Sequence, residues 1–403
     1  MILWAWYTVL GHTELAGRLL SAILGVLTIP AIYWLGRECF GRRVGLLAAS
    51  LGAVNYFLVY YSQENRPYAM LALLATLSLA AFIRAIKSPS RSNLILYSIV
   101  STALVYTHIY GLVAVIAQAA CWAAYVAFHA EDRRARLRRG VAVAAWLVVS
   151  TAPLVPLIRG SMGRKQFWMA EPPWHFAWTY MVAYAGGPAV AALLVAALGA
   201  AVAAALRRSG KATGPPTVLL LSLWILVSYL LPYARSVIAT PCMLPRYTIS
   251  VVPAILVLVG FGLTTIPRRW VLPASGMVLA LALPPLLLYL ASQAKDVPHD
   301  YRGLARHIAR VEPEYPAFAL KFTPGMFRFY LGHVGSGIEV YPVRRLAGHL
   351  SVAPYDCFWL LDGFPPLLQT DVRERLQLRR HRRIDKRGTV ALLVSSKARE
   401  EAC

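Results

Sequence analysis

Residues 60–87 run YYSQENRPYAMLALLATLSLAAFIRAIK. From Pro67 to Ile86 the stretch carries a single charge, Arg84, and is otherwise apolar but for the small hydroxyls of Thr76 and Ser78 and the phenol of Tyr68, and at 1.5 Å rise per residue a helix of this length matches a hydrocarbon layer of about 30 Å. Just before it, Tyr60, Tyr61, Ser62, Gln63, Glu64, Asn65, Arg66 and Tyr68 crowd polar and phenolic groups together. Proline favours the first turn of a helix and biases the residue before it away from helical geometry, so the polar cluster is expected at a membrane boundary.

Working outward, further apolar runs lie near 15–35, 44–61, 94–110, 111–129, 141–158, 179–206, 217–234, 247–266 and 271–291. Together with 67–86 they predict a transmembrane domain of about ten spans over 15–293. The fourth and fifth runs are separated only by Thr107-His108-Ile109-Tyr110-Gly111, which fits a tight hairpin or one broken helix. Residues 1–14 are too short to span and rich in tryptophan and tyrosine, so they read as a helix lying at the surface. The 403 residues are 58% apolar and 15% charged, too greasy for a soluble fold.

The formal charge of +23 does not call for nucleic acid, which needs a basic face on a soluble domain with base-reading or stacking elements beside it. Most basic residues instead sit in tracts between apolar runs. One set of loops holds 16 of them: Arg37, Arg42, Arg43, Arg84, Lys87, Arg91, Arg133, Arg134, Arg136, Arg138, Arg139, Arg207, Arg208, Lys211, Arg268 and Arg269. The opposite set holds 6: Arg66, Arg159, Arg164, Lys165, Arg235 and Arg246. The bias assigns the first set to the cytoplasm and places both chain ends outside it. Because residues 1–14 show no secretory leader, an even span count with both ends outside leads us to expect a further span before Met1.

Past Gln293 the pattern becomes that of a small α/β domain, 294–403, with helices expected at 301–311, 324–332 and 366–380 and strands at 316–322, 338–343, 356–361 and 389–396. Gly332-His333-Val334-Gly335-Ser336-Gly337 has the wrong spacing for a dinucleotide loop and reads as a turn. The basic Arg379–Arg383 tract fits a solvated face or one against anionic headgroups. The domain suits a lid, an acceptor-binding surface or a structural cap. The cysteines (39, 121, 242, 357 and 403) form no spaced cluster, so neither a disulfide framework nor a zinc site is expected.

Several polar groups reach the outer boundary in this topology. Gln63, Glu64, Arg66 and Tyr68 combine amide, carboxylate, guanidinium and phenol, which together suit a sugar and its phosphate. They equally suit loop charges and an aromatic belt. His108 and Tyr110 reach the same side; a single histidine is weak support for a metal, and no cofactor is predicted. Arg235, Arg246 and Tyr247 suit a lipid-linked phosphate, bound bidentately, or ordinary headgroup anchoring. Arg18, four residues into the first run, is expected to snorkel or to be neutralised by a partner. The 159–178 loop, with Arg159, Arg164, Lys165, Glu171, His175, Phe167, Trp168, Trp174, Phe176 and Trp178, suits an interfacial segment.

These elements, in order, resemble the GT-C type of polyprenyl-phosphate-sugar-dependent membrane glycosyltransferases, in particular the bacterial branch related to protein mannosyltransferases and aminoarabinose transferases. The resemblance runs through Glu14–Ala22, Leu35–Arg43, Tyr61–Ala69, Thr107–Gly111, Pro245–Tyr247 and Asp300–Ala305. It implies a polytopic α-helical fold and inverting transfer from an isoprenoid-linked sugar donor to a lipid, glycan or protein acceptor at the outer face of the cytoplasmic membrane. Donor contacts are then expected from Gln63, Glu64, Arg66, Tyr68, His108, Tyr110, Arg235, Arg246 and Tyr247, with Arg66 and Arg246 on phosphate. Such enzymes usually carry an acidic pair in the outer loop after their first span. This chain starts within what looks like the interfacial helix after that loop, so the resemblance implies a principal acid before Met1 and leaves the catalytic residue of this chain unassigned. The alternatives are a non-catalytic membrane component, an inactive paralogue, or a transporter, which should show an internal repeat or helices broken near the bilayer midplane.

Overall fold

The computed structural model describes residues 2–128, 132–162, 170–208, 217–291, 301–311, 316–319, 324–335, 337–342, 357–362, 378–386 and 389–396. The chain divides into two units, Met1–Ala291 and Ser292–Cys403.

The first unit is helical. It runs α1 (Ile2–Leu10), α2 (Glu14–Phe40), α3 (Arg42–Ala53), α4 (Tyr56–Ser62), α5 (Tyr68–Lys87), α6 (Arg91–Thr107), α7 (Ile109–Phe128), α8 (Arg133–Thr151), α9 (Val155–Met162), α10 (Phe176–Ala185), α11 (Pro188–Arg208), α12 (Thr217–Ile238), α13 (Val252–Thr264) and α14 (Arg268–Ala291). Among the described residues, seven helices are long and apolar enough to cross a membrane, or eight if the bent pair α3 and α4 makes one span. The five arginines of 133–139 belong to the first turns of α8 rather than to a loop.

Two apolar runs turn out to be broken, each for a local reason. The 44–61 run bends by 60° between α3 and α4. There the Asn55 side chain caps α4 by accepting the Leu58 N–H (3.0 Å) and donates to the Tyr184 carbonyl (2.9 Å). The 179–206 run is interrupted by Gly186-Gly187-Pro188, with Gly186 in the left-handed region at φ 78, where proline cannot continue the preceding helix. Between α6 and α7 the junction is a hairpin. His108 alone is extended (φ −161, ψ 149), and the helices pack so closely that a Cβ on Gly111 would stand 2.2 Å from the Leu104 carbonyl oxygen.

α5 and α13 form the centre of the bundle. Leu71, Ala75, Leu79 and Phe82 on α5 and Ile255, Val257 and Val259 on α13 are essentially sealed. Polar glue joins α5, α6 and α7. Ser78 Oγ meets Ser101 Oγ at 2.9 Å, Gln118 Nε2 donates to Ser78 Oγ (2.9 Å), and Tyr97 donates to Gln118 Oε1 (3.1 Å). All four side chains are buried, where an unpaired polar group would be costly. At the end of the bundle away from residues 62–68, Arg84 donates to Glu38 (2.9 Å) and to Asn93 (3.1 Å), and the Lys87 ammonium bonds the last carbonyls of α2, a favourable place for a cation.

The second unit contains α15 (Tyr301–Val311), β1 (Ala317–Ala319), α16 (Pro324–His333), β2 (Val340–Pro342), β3 (Cys357–Asp362), β4 (Leu378–Lys386) and β5 (Thr389–Ser396). Strand order is β2-β1-β3-β5-β4, parallel for β2-β1-β3 and antiparallel for β3-β5-β4. Leu304 and Ile308 of α15 pack with Phe327, Leu331, Trp359 and Leu361 in its core. Gly335, left-handed at φ 73, sits in the turn after α16. The helix expected over 366–380 is corrected at its end: residues 378–380 begin β4, which pairs antiparallel with β5 from Leu378↔Ser396 to Lys386↔Thr389, with a register shift between Arg380 and Arg382. Long-range pairing overrides a helix-like local pattern there; residues 366–377 lie outside the described residues.

Candidate functional site

The polar tract after α4 is a series of tight turns. The Gln63 and Glu64 amides bond back to Tyr60 and Tyr61, and the Arg66 N–H donates to the Glu64 carbonyl (2.7 Å). Pro67 stands at the N-cap of α5, one place before the first turn. Tyr68, the first residue of α5, is buried, while Arg66 beside it is exposed. Arg66 ion-pairs with Glu64 (3.6 Å) and hydrogen-bonds with the Tyr68 side chain.

A second segment, between α12 and α13, reaches the same place. It is pinned on both sides. Tyr110 donates to the Cys242 carbonyl (2.7 Å), whose amide donates to Ser236 Oγ (3.1 Å), and the Thr248 hydroxyl meets the Tyr184 hydroxyl (2.6 Å). Arg246 and Tyr247 lie between these pins. The Arg246 guanidinium stands over the Tyr247 ring, 5.4 Å from its centroid, and interacts with Tyr61 and Tyr68.

The junction at His108 supplies the third side. Its ring lies 6.1 Å from that of Tyr68, 5.7 Å from that of Tyr110 and 5.5 Å from that of Tyr247. Tyr247 also lies 6.1 Å from Tyr68 and 5.5 Å from Tyr110. His108 Nδ1 accepts the Tyr110 N–H (3.2 Å). Burial pushes the imidazole pKa down to about 4, so the ring is neutral at pH 7 and carries its proton on Nε2.

Gln63 faces another way. Its Oε1 accepts the Tyr289 hydroxyl from the last turn of α14 (2.9 Å), and the Tyr289 ring meets Tyr56 (5.6 Å) and Tyr60 (5.4 Å). Tyr61 connects the two groups, 5.0 Å from Tyr60 and 5.2 Å from Tyr68. The structure therefore brings together Glu64, Arg66, Tyr68, His108, Tyr110, Arg246 and Tyr247, with Gln63 at the edge. Arg235 stands in the last turn of α12. Arg18 is neutralised within its own helix by an ion pair to Glu14. In the 159–178 loop Phe176 is buried against Tyr233 (stacked, 4.7 Å) while Trp174 is exposed; Arg164, Lys165, Phe167 and Trp168 lie outside the described residues.

Sequence reasoning passed over Tyr289 and Tyr184. A signal for Tyr289 was present: Ser275, Val278, Ala282 and Leu286 are the buried stripe of α14, and the next inward position at helical spacing is 289. Tyr184 carried no comparable sign, because its hydroxyl and carbonyl partners lie 64 and 129 residues away.

The arrangement presents two guanidiniums around a buried phenol, a neutral imidazole and an ion-paired carboxylate at one end of a helical bundle. Such donors suit an anion with several oxygens beside a hydroxyl-bearing group. Among the described residues no three His, Cys, Asp or Glu side chains are grouped so as to hold a metal ion.

A family model described as dolichyl-phosphate-mannose-protein mannosyltransferase matches residues 1–158. No curated protein matches the chain. Of the solved structures it is similar to, ArnT from Cupriavidus metallidurans in the apo state has a TM-score of 0.63 at 16% identity, over 96% of this chain and 85% of that one. The same protein bound to undecaprenyl phosphate gives 0.61 at 15%, over 96% and 86%. The archaeal oligosaccharyltransferase AglB from Archaeoglobus fulgidus, in complex with an inhibitory peptide and a dolichol-phosphate, gives 0.52 at 14%, over 82% and 55%. At such identities the likeness is one of fold: the chain is a polytopic α-helical membrane protein of GT-C-like architecture with a small β-containing C-terminal region.

Proposed function

We propose that the protein is a membrane glycosyltransferase that moves a sugar from a polyprenyl-phosphate donor to a lipid, glycan or protein acceptor. The observation that carries this reading is the convergence of Arg66 and Arg246 on Tyr68, within a fold shared with ArnT and AglB. In this reading the donor phosphate takes its charge-assisted hydrogen bonds from Arg246 and Arg66, oriented by Tyr68 and Tyr247. The acceptor hydroxyl attacks the anomeric carbon, the bond to the phosphate oxygen breaks, and the two guanidiniums stabilise the charge gathering on the departing phosphate. Glu64, held by Arg66, organises the sugar. The base that takes the acceptor's proton is not assigned to a residue of this chain.

The lysine and arginine bias of the loops supports placing this end of the bundle, and the C-terminal domain, on the outer side of the cytoplasmic membrane. Binding of undecaprenyl phosphate to the nanodisc-embedded protein tests the donor site. Arg246→Ala is expected to weaken that binding by roughly 10- to 100-fold, the scale of one or two hydrogen bonds to a charged group, with the thermal unfolding midpoint retained. Equal affinity in the variant would rule out the phosphate role of Arg246.

A further inference from the structure

α1 is fastened to the start of α2 by side chains. Gly11, left-handed at φ 77, makes the turn between the two helices, a conformation that a residue with a Cβ rarely adopts. Thr13 caps α2 by accepting the Ala16 N–H (3.1 Å), and the Trp6 indole N–H donates to the Ala16 carbonyl (2.7 Å). The ring of Tyr7, the next residue, stacks on that of His12 with centroids 4.9 Å apart. Its hydroxyl oxygen accepts from Asn65 Nδ2 at 2.6 Å.

Asn65 is the apex of the turn that carries Glu64 and Arg66. This is a three-residue turn, closed by the bond from the Arg66 N–H to the Glu64 carbonyl (2.7 Å). Asn65, Arg66 and Pro67 are exposed, so packing does little to hold the apex in place. Two glycines of α2, eight residues apart and hence on one face of that helix, let the tract lie close against it. At Gly25 a Cβ would overlap the Ser62 Cβ; at Gly17 it would overlap the Tyr7 hydroxyl and stand 2.7 Å from Asn65 Nδ2. The missing side chain at 17 thus leaves the room in which the bond between Tyr7 and Asn65 forms.

We propose that this bond is a clasp through which α1 sets the donor site: Tyr7 and Asn65 are positioning residues that fix the 64–66 turn and so hold Arg66 ready for the phosphate. The proposal rests on the transferase reading for the identity of that anion. With its apex untethered the turn is free to rotate, and the Arg66 guanidinium, paired with Glu64 at 3.6 Å, moves with it. Binding must then order the turn again, which weakens it. The coupling is reciprocal, so a ligand that needs the ordered turn also tightens the hold on α1.

Undecaprenyl phosphate binding and amide hydrogen exchange, both measured on the whole protein in nanodiscs, test this together. Tyr7→Phe keeps the ring that stacks on His12 and loses one bonding oxygen. Asn65→Ala removes the other partner, and Gly17→Ala keeps both groups but fills the room between them. Each is expected to weaken binding about three- to tenfold, the scale of one neutral hydrogen bond. Tyr7→Phe combined with Asn65→Ala should cost no more than either alone. Thr8→Ala, which loses a hydroxyl bonded to carbonyls of its own helix, should bind as wild type does. Saturating ligand should slow exchange across α1 in wild type and leave it unchanged in Tyr7→Phe. Absence of that slowing in wild type overturns the proposal even where a variant fails to fold. Unchanged affinity in Tyr7→Phe and Asn65→Ala, with faster exchange at α1, would reduce the clasp to a structural tie and overturn it too. A wild type that binds no undecaprenyl phosphate overturns the donor reading instead; the clasp then stands if Tyr7→Phe speeds exchange at residues 64–66 without ligand, and falls if it does not.

Discussion

His108 shows what a single position does at this site. Held extended between two helices, it accepts the Tyr110 amide proton through Nδ1 and packs among three tyrosine rings. A proton added to Nδ1 would cost both that hydrogen bond and the burial of a charge. Because the folded-state pKa is depressed to about 4 from an ordinary value of about 6.5, the unfolded chain binds the proton first as pH falls. The contribution of neutral His108 is thus fully present above about pH 6.5 and is lost progressively down to about pH 4. Unfolding midpoints measured from pH 7.5 to 4 should fall less steeply in His108→Gln than in wild type; parallel curves would show that the histidine does not titrate this way. Histidine at 108 was legible as a boundary residue from its place between two apolar runs. Its neutral, acceptor state was not, because that depends on rings from α5 and from the loop before α13.

Among the elements, the long apolar runs were legible because hydrocarbon imposes length and composition on any helix that crosses it. Their breaks were harder to see. Asn55 ends one run by capping α4 and holding the Tyr184 carbonyl, a role that needs a partner from α10. Gly186-Gly187-Pro188 did announce its break in the sequence, but the surrounding hydrophobicity masked it. Close helix crossings are equally silent. On α13, a Cβ at Gly262 would stand 2.0 Å from the Ala197 carbonyl oxygen of α11, whereas at Gly276 of α14 nothing lies within 4 Å. Gly262→Ala should therefore destabilise the protein by about 1–3 kcal/mol, as overpacking does. Gly276→Ala should be neutral or gain up to about 1 kcal/mol from helix propensity. Thermal unfolding of the two variants side by side distinguishes them, and equal midpoints would mean that α11 and α13 do not cross this tightly.

At the scale of the whole molecule, the sequence divided the chain near residue 293 from the loss of long apolar runs, and the structure divides it after Ala291. The strand pairing of the second unit was only partly visible, since residues 378–380, which open β4, read locally as the end of a basic helix and take their form from β5. Orientation remains a matter of charge bias, and it makes a firm prediction: alkaline phosphatase fused after Ala291 should be active in intact bacterial cells, and a green fluorescent protein fused there dark. The reverse pattern would turn the protein over and move the candidate site to the cytoplasmic side.

The buried bonds among Ser78, Ser101, Gln118 and Tyr97 have a consequence for biogenesis. Chains are made from the N-terminus, so α5 and α6 leave the insertion machinery before α7. Ser78, Ser101 and Tyr97 can pair with one another at that stage, so α5 and α6 strand no hydroxyl while α7 is still to come. The Gln118 amide of α7 is in the opposite position, because the bonds it makes run to Ser78 on α5 and Tyr97 on α6. An α7 released alone into lipid would carry that amide bare through hydrocarbon, so the earlier pair is built as the dock on which α7 enters.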